Sequence, residues 1–142
     1  MYKRLMVYSD GGARGNPGPA AIAFLALTET GEVIKADSRF IGKCTNNQAE
    51  YNALNAVLEF AMEAQVEEVV CHLDSELVVK QLNGEYSVKN LELQKLWRKA
   101  RELRSCFKKV SFVNVPRSNP YISRADALVN KTLDEQARSS LS

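Results

Sequence analysis

The chain has 142 residues, 45% of them hydrophobic, and a net charge of +2, the size and balance of one domain with one core. No apolar run approaches the roughly 18 residues of a membrane span, and Met1-Tyr-Lys-Arg leads into a short strand-like run without a small-residue cleavage site, so neither an anchor nor a signal peptide is expected. Cys44, Cys71 and Cys106 are widely and irregularly spaced, which fits neither a disulfide framework nor a zinc site and points to a reducing, cytoplasmic setting.

Residues 4–10 read as a strand, and Gly11-Gly-Ala-Arg-Gly-Asn-Pro-Gly-Pro19 as a turn-rich loop. Ala20–Thr28 and Val33–Ile41 read as two strands joined at Glu29-Thr-Gly31-Glu, a hairpin signal. Thr45 or Asn46 can cap a helix running to about Gln65. Residues 68–74 form a strand, and Ser75–Asn83 a short helix closed by Gly84. Asn90–Cys106 is a helix with apolar Leu93, Leu96, Trp97, Ala100 and Leu103, and Phe107 just beyond; Lys109–Val115 is a strand; Ser123–Arg138 is the last helix. Three early strands in a meander, then strands alternating with helices, predict an α/β fold. It has a mixed five-stranded sheet, three antiparallel strands followed by parallel ones, flanked by helices in a single domain over 1–142.

The glycine loop has the spacing Gly12-x-x-Gly15-x-x-Gly18, followed by Ala-Ala-Ile-Ala-Phe-Leu, a β-like run. A nucleotide-binding fingerprint needs a helix there to meet the phosphate, so that reading is rejected.

Four acids stand where acid is hard to explain. Asp10 and Asp74 close the apolar runs 4–10 and 69–74. Glu50 shares the stripe Leu54, Val57, Ala61 on the first long helix, and Asp126 shares a face with Val129, Leu133 and Ala137 on the last. Each has an ordinary explanation: Asp10-Gly11 as a turn, Asp74-Ser75 as an N-cap, and Glu50 and Asp126 as first-turn complements of a helix dipole. Together they are harder to dismiss. Burying a polar group costs roughly 2–7 kcal/mol, and a charge more, while converging carboxylates repel. Divalent metal is the natural compensation. Oxygen-only ligands point to Mg²⁺ or Mn²⁺ rather than zinc, and such a cluster suits phosphoryl transfer.

Charge is uneven. Residues 89–109 carry Lys89, Lys95, Arg98, Lys99, Arg101, Arg104, Lys108 and Lys109 against Glu92 and Glu102, a local +6 that leaves −4 elsewhere. A solvated helix face and a nucleic-acid contact weigh evenly here.

The motifs Asp10-Gly-Gly-Ala-Arg-Gly-Asn-Pro-Gly-Pro19, Thr45-Asn-Asn-Gln-Ala-Glu50-Tyr-Asn-Ala-Leu54, Asp74-Ser75 and Arg124-Ala-Asp126 together resemble type 1 ribonuclease H. The resemblance runs from residue 4 to about 136. The short segment Asp74–Gly84 is similar to the compact archaeal and bacterial branch. The resemblance implies a ribonuclease H-like fold. It also implies an endonuclease cutting the RNA strand of RNA–DNA hybrids to 5′-phosphate and 3′-hydroxyl ends with two Mg²⁺ or Mn²⁺ ions. Carried over, Asp10 bridges both ions, Asp126 completes the one that activates water, and Glu50 and Asp74 hold the one at the leaving oxygen. Asn16, Asn46 and Asn47 match positions that touch the RNA minor groove, and Lys43, Thr45 and Asn90 match a pocket for a DNA phosphate. The ordinary readings are a turn for Asn16, a cap for Thr45 or Asn46 and a surface lysine for Lys43.

Three departures accompany the resemblance. The loop Pro116–Ala125 lacks the histidine that many relatives carry. Arg117 is its expected substitute and Arg124 the runner-up, while His72, in a strand, reads as structural. The basic protrusion of longer relatives is missing, with the basic face at 95–104 as a compensation and Tyr86 either stacking on a DNA sugar or buried. Glu76 stands where many relatives place a minor-groove glutamine. Rival readings are a broader nuclease that also cuts double-stranded RNA, a relative cutting DNA junctions, and an inactive hybrid-binding module. No obligate protein partner is implied.

Overall fold

Strand β2 (Gly18–Leu27) is the most buried element of the chain, and its near-continuous apolar sequence is what a strand covered on both faces requires. It pairs antiparallel with β1 (Arg4–Ala13) on one side and β3 (Val33–Cys44) on the other. The computed structural model describes residues 2–141. Strand β4 (Glu68–Leu73) adds parallel to β1, and β5 (Lys109–Asn114) parallel to β4, giving the sheet order β3-β2-β1-β4-β5. This is the mixed five-stranded sheet expected from the sequence.

Adjacent residues of β2 point to opposite faces and so enter different cores. Ile22 and Phe24 join Leu5, Val7, Leu54, Val57 and Leu58 beneath helix α1 (Asn46–Glu63). Ala21 and Ala23 pack with Ala125, Val129 and Leu133 of helix α4 (Pro120–Ser140). The alanines let α4 approach closely. Helix α3 (Leu91–Arg104) lies on α1, where Leu93, Ala100 and Leu103 are buried and Asn55 Nδ2 donates to Leu96 O at 3.1 Å. The short helix α2 (Glu76–Leu82) is tied to α1 by Tyr51 Oη donating to Gln81 Oε1 at 2.7 Å, both groups buried.

Several boundaries differ from the sequence reading, each for a local reason. The glycine segment is not a loop from 11 to 19: Gly11, Gly12 and Ala13 pair with Ile22, Ala21 and Ala20, so only residues 14–17 turn. Helix α4 starts at Pro120 rather than Ser123, because the Asn119 side chain accepts the N–H groups of Tyr121 and Ile122 and Pro120 suits the first helical position. Ala137 lies exposed rather than on the packed face of α4. Thr45, not Asn46, caps α1, in a reciprocal capping box with Gln48. Ser75 caps α2. Tyr86 is 49% exposed and takes a hydrogen bond from Lys80 Nζ, so it is not buried. None of the three cysteines is paired, and no helix is long and apolar enough to cross a membrane.

One close approach fixes β1 against α1. A Cβ added to Gly11 would fall inside the Ala49 carbonyl and 2.8 Å from Glu50 N, whereas one at Gly12 would meet only Val129 at 3.8 Å. Gly11→Ala is therefore expected to cost about 1–3 kcal/mol, the scale of overpacking. Gly12→Ala should stay within about 0.5 kcal/mol of wild type. Urea unfolding of the two variants separates them; equal midpoints would show that α1 yields without cost.

Candidate active site

Asp10 stands within β1, paired opposite Ala23, so it is not a turn residue. Asp74 follows the last residue of β4, and Glu50 lies in the second turn of α1. Because β1 and β4 are parallel neighbours, their carboxyl ends deliver Asp10 and Asp74 to the same edge. The Gly11–Ala49 contact brings Glu50 to it, and Glu50 Oε1 accepts the Gly11 N–H at 3.0 Å. One carboxylate oxygen from each of Asp10, Glu50 and Asp74 lies within 4.8 Å of the others. Neither α1 nor α4 carries an acid in its first turn, so the dipole explanation for Glu50 and Asp126 does not hold.

The electrostatics follow from burial. Asp10 is 6% exposed; desolvation, reinforced by the Asp74 charge, pushes its carboxyl up to about 7. Burial raises Glu50 well above the usual carboxylate range, with Asp10 adding to it. Asp74 is raised by burial as well, and the Arg117 guanidinium opposes that rise. Glu50 Oε2 is buried with no hydrogen-bond partner among the described residues. Asp126 lies outside the 4.8 Å cluster, but close enough that its charge also raises Asp10. An orphaned buried oxygen inside an all-oxygen donor set is what a hard divalent cation requires, so these residues fit a metal.

Arg117 is 83% exposed, with Nε 3.9 Å from Asp74 Oδ2. Arg124 is exposed and holds no ion pair among the described residues. His72 turns inward: its Nδ1 bonds Val7 O at 2.9 Å, its ring stacks on Tyr8 at 4.2 Å, and burial lowers its pKa. A ring held this way in its neutral form is a packed residue. Tyr121 extends the stack, 4.8 Å from Tyr8. Tyr8 escaped the sequence reading, although its place two residues before Asp10, on the same strand face, was a signal.

Asn16, Thr45, Asn46, Asn47 and Asn90 line one cavity of about 250 Å³, with Gln48 and Leu93. Lys43 lines the adjoining one with Lys95. The amides interlock: Asn46 Oδ1 accepts the Ala13 N–H at 2.9 Å, and Asn16 Oδ1 accepts the Asn46 N–H at 3.0 Å. Asn90 caps α3 through Leu93 N–H. Glu76 sits apart, exposed and paired with Lys80 at 2.7 Å. On α3, Lys99 pairs with Glu59 and Lys95 with Glu92, and the Arg101 guanidinium lies over Trp97. Part of the basic face is thus neutralised or stacked locally.

The profile of the reverse transcriptase-like family matches residues 8–132. The chain is 41% identical to ribonuclease HI of Halobacterium salinarum over 93% of its length, and spans 65% of that protein. It spans only 37% of a bifunctional protein of Mycobacterium tuberculosis to which it is 39% identical. Among solved structures it matches the RNase H1 of Halobacterium salinarum with a TM-score of 0.89, covering 93% of this chain and 98% of that one. It matches the amino-terminal RNase H domain of the mycobacterial protein with a TM-score of 0.91 at 37% identity, covering 96% and 98%. It also matches LC11-RNase H1, solved in complex with an RNA/DNA hybrid, with a TM-score of 0.88 at 38% identity, covering 94% and 99%. With its sheet order, its clustered acids and these matches along nearly its whole length, the chain belongs to the ribonuclease H family, in the reverse transcriptase-like group.

Proposed function

We propose that this chain is a divalent-metal-dependent endoribonuclease that cuts the RNA strand of an RNA–DNA hybrid, leaving 5′-phosphate and 3′-hydroxyl ends. The observation that carries the reading is the buried Asp10–Glu50–Asp74 cluster with an unpartnered Glu50 oxygen. Left alone, such a cluster only costs stability; a cation turns the cost into binding. Asp10, Glu50 and Asp74, joined by Asp126, would hold Mg²⁺ or Mn²⁺, two ions with substrate bound and Asp10 shared between them. Bound there, the ions supply charge stabilisation for the attacking and leaving oxygens of an in-line displacement.

The chain's own residues do the rest. With one backbone N–H already held by each amide oxygen, the NH₂ groups of Asn16 and Asn46 are their remaining donors. Donors suit the acceptor atoms and 2′-hydroxyls of an RNA minor groove. Asn47 extends that surface. Thr45 and Asn90 in the same cavity, and Lys43 beside it, would hold a phosphate of the DNA strand. Glu76, exposed on α2, would contribute at most a peripheral contact to the groove. Arg117, exposed and next to Asp74, would reach the charge that develops at phosphorus or help product leave. The relative solved with a hybrid supports the substrate, and the unpaired thiols support a cytoplasmic site of action.

Incubating the protein with labelled hybrid, double-stranded RNA and single-stranded RNA in Mg²⁺ or Mn²⁺ tests the reading directly. Cleavage of the hybrid is expected. Binding without cleavage would leave a recognition module, and equal cleavage of double-stranded RNA a broader nuclease. Asp10→Asn should reduce hybrid cleavage below a hundredth of wild type while gel-shift binding persists, because the groove residues are untouched. Arg117→Ala should lower kcat about 10²-fold, the scale of a lost electrostatic stabiliser, with little change in KM; a rise in KM alone would make Arg117 a substrate clamp instead.

The acid cluster also predicts a pH dependence. A carboxyl raised in the fold from 3.8 to about 7 binds its proton more tightly folded than unfolded. Its full stability is therefore present below about pH 4, and is lost as pH rises toward 7. In EDTA, wild type should lose melting temperature across that window. Asp10→Asn should lose less and be more stable at neutral pH, on the order of 1 kcal/mol. Saturating Mg²⁺ should raise the wild-type melting temperature more than that of the variant. A variant melting below wild type in EDTA at pH 7 would contradict mutual repulsion among the acids.

A further inference from the structure

Asp126 differs from the other three acids. It sits on α4, which meets the sheet through small side chains, and its carboxylate lies outside the tight cluster. It forms no ion pair within 4.0 Å among the described residues. Besides its contact with Asp10, its carboxylate takes a hydrogen bond from Asn130, one turn further along α4: Asn130 Nδ2 donates to Asp126 Oδ2 at 3.4 Å and to Asp126 O at 3.1 Å. Residues four apart share a helix face, so Asp126, Asn130 and Asp134 form a row. Arg14, from the turn between β1 and β2, lies across that row. Its Nη2 donates to Asn130 O at 3.3 Å and Asn130 Oδ1 at 3.4 Å, and pairs with Asp134 Oδ1 at 2.7 Å.

We propose that Asn130, oriented by Arg14, is a positioning residue that aims the Asp126 carboxylate at the acid cluster. An amide has a donor end and an acceptor end. With Oδ1 turned to the guanidinium, Asn130 must turn Nδ2 toward Asp126. The reverse orientation would set an amide oxygen against a carboxylate and an NH₂ group against a cation. Asp134 holds Arg14 in place and neutralises it, so the guanidinium orients the amide without adding a free positive charge beside the site. The same arginine lies four residues after Asp10 and two before Asn16. It therefore also sets α4 relative to the strand carrying Asp10 and the turn carrying a groove amide. A partner one shell outside a ligand commonly changes metal affinity or activity by 10–100-fold.

This inference rests on the reading of Asp126 as part of the metal site, and its test has a readout that needs no turnover. Asn130→Ala and Arg14→Ala are compared with wild type, and Asn130→Ala is repeated in an Asp126→Asn background. Mn²⁺ is titrated against melting temperature without substrate, and kcat and KM are measured on labelled hybrid. Asn130→Ala is expected to raise the half-saturating Mn²⁺ concentration and to lower kcat, each roughly 10-fold, with KM unchanged. Arg14→Ala should do the same more weakly. In the Asp126→Asn background, Asn130→Ala should change neither quantity by more than about twofold. The proposal is overturned if Asn130→Ala lowers only the melting temperature, or if its effects are equal in both backgrounds. If wild type cuts no hybrid, the proposed function fails while the Mn²⁺ comparison still decides the role of Asn130.

Discussion

The backbone of β1 touches the backbone of α1 at Gly11 and Ala49, with no room for a side chain between them. Everything at the site depends on that contact. It places the second turn of α1 over the end of β1, so Glu50 can accept the Gly11 N–H and stand beside Asp10. Parallel pairing of β1 with β4 then sets Asp74 at the same edge. A helix held one side chain further away would leave Glu50 short of the cluster. The contact is a backbone property, and its energy comes from the apolar face of α1, where Leu54, Val57, Leu58 and Ala61 are fully buried.

That packing drives together charges that oppose it. Three carboxylates with raised proton affinity are a local cost that the rest of the core offsets. The arrangement around them is graded. Near Asp74, Arg117 is exposed and makes one long contact, Nε 3.9 Å from Asp74 Oδ2. Near Asp126, Arg14 pairs with Asp134 and donates to the Asn130 amide oxygen. On the proposed function, one arginine would respond to substrate and the other would keep an orientation.

The groove beside the acids is built on the same economy of groups. Asn16, Asn46, Thr45 and Asn90 each spend an oxygen on a backbone N–H. The ordinary reading as a cap is therefore correct for the Thr45 oxygen, and Asn90 likewise caps α3, whereas the Asn16 and Asn46 oxygens bind backbone N–H groups distant in sequence. Their remaining donors and their shared cavity carry the binding reading. On the proposed function, backbone anchoring and recognition would be two ends of the same side chains, which is why spacing alone does not separate the two roles.

Local signals in the chain determined the elements, because periodicity and caps act within a few residues: the strand alternation, the 3.6-residue stripes, the Thr45 and Ser75 caps and the hairpin at Gly31. The motif around Asp10, Glu50, Asp74 and Asp126 determined the family. Where local chemistry was ambiguous, the sequence misled. Gly11 and Gly12 look like turn residues, yet ladder hydrogen bonds to β2 hold them in a strand. Asn119 and Pro120 start α4 a turn early and move Asp126 out of the dipole's reach. Contacts between residues far apart in the chain were decided only by the tertiary structure. It made three of the acids a tight set and left the fourth beside it, turned His72 onto Tyr8 rather than toward phosphate, and joined Arg14 to Asn130 across 116 positions. Such pairings depend on the sheet order and on which helix covers which face, and no short window of sequence carries that information.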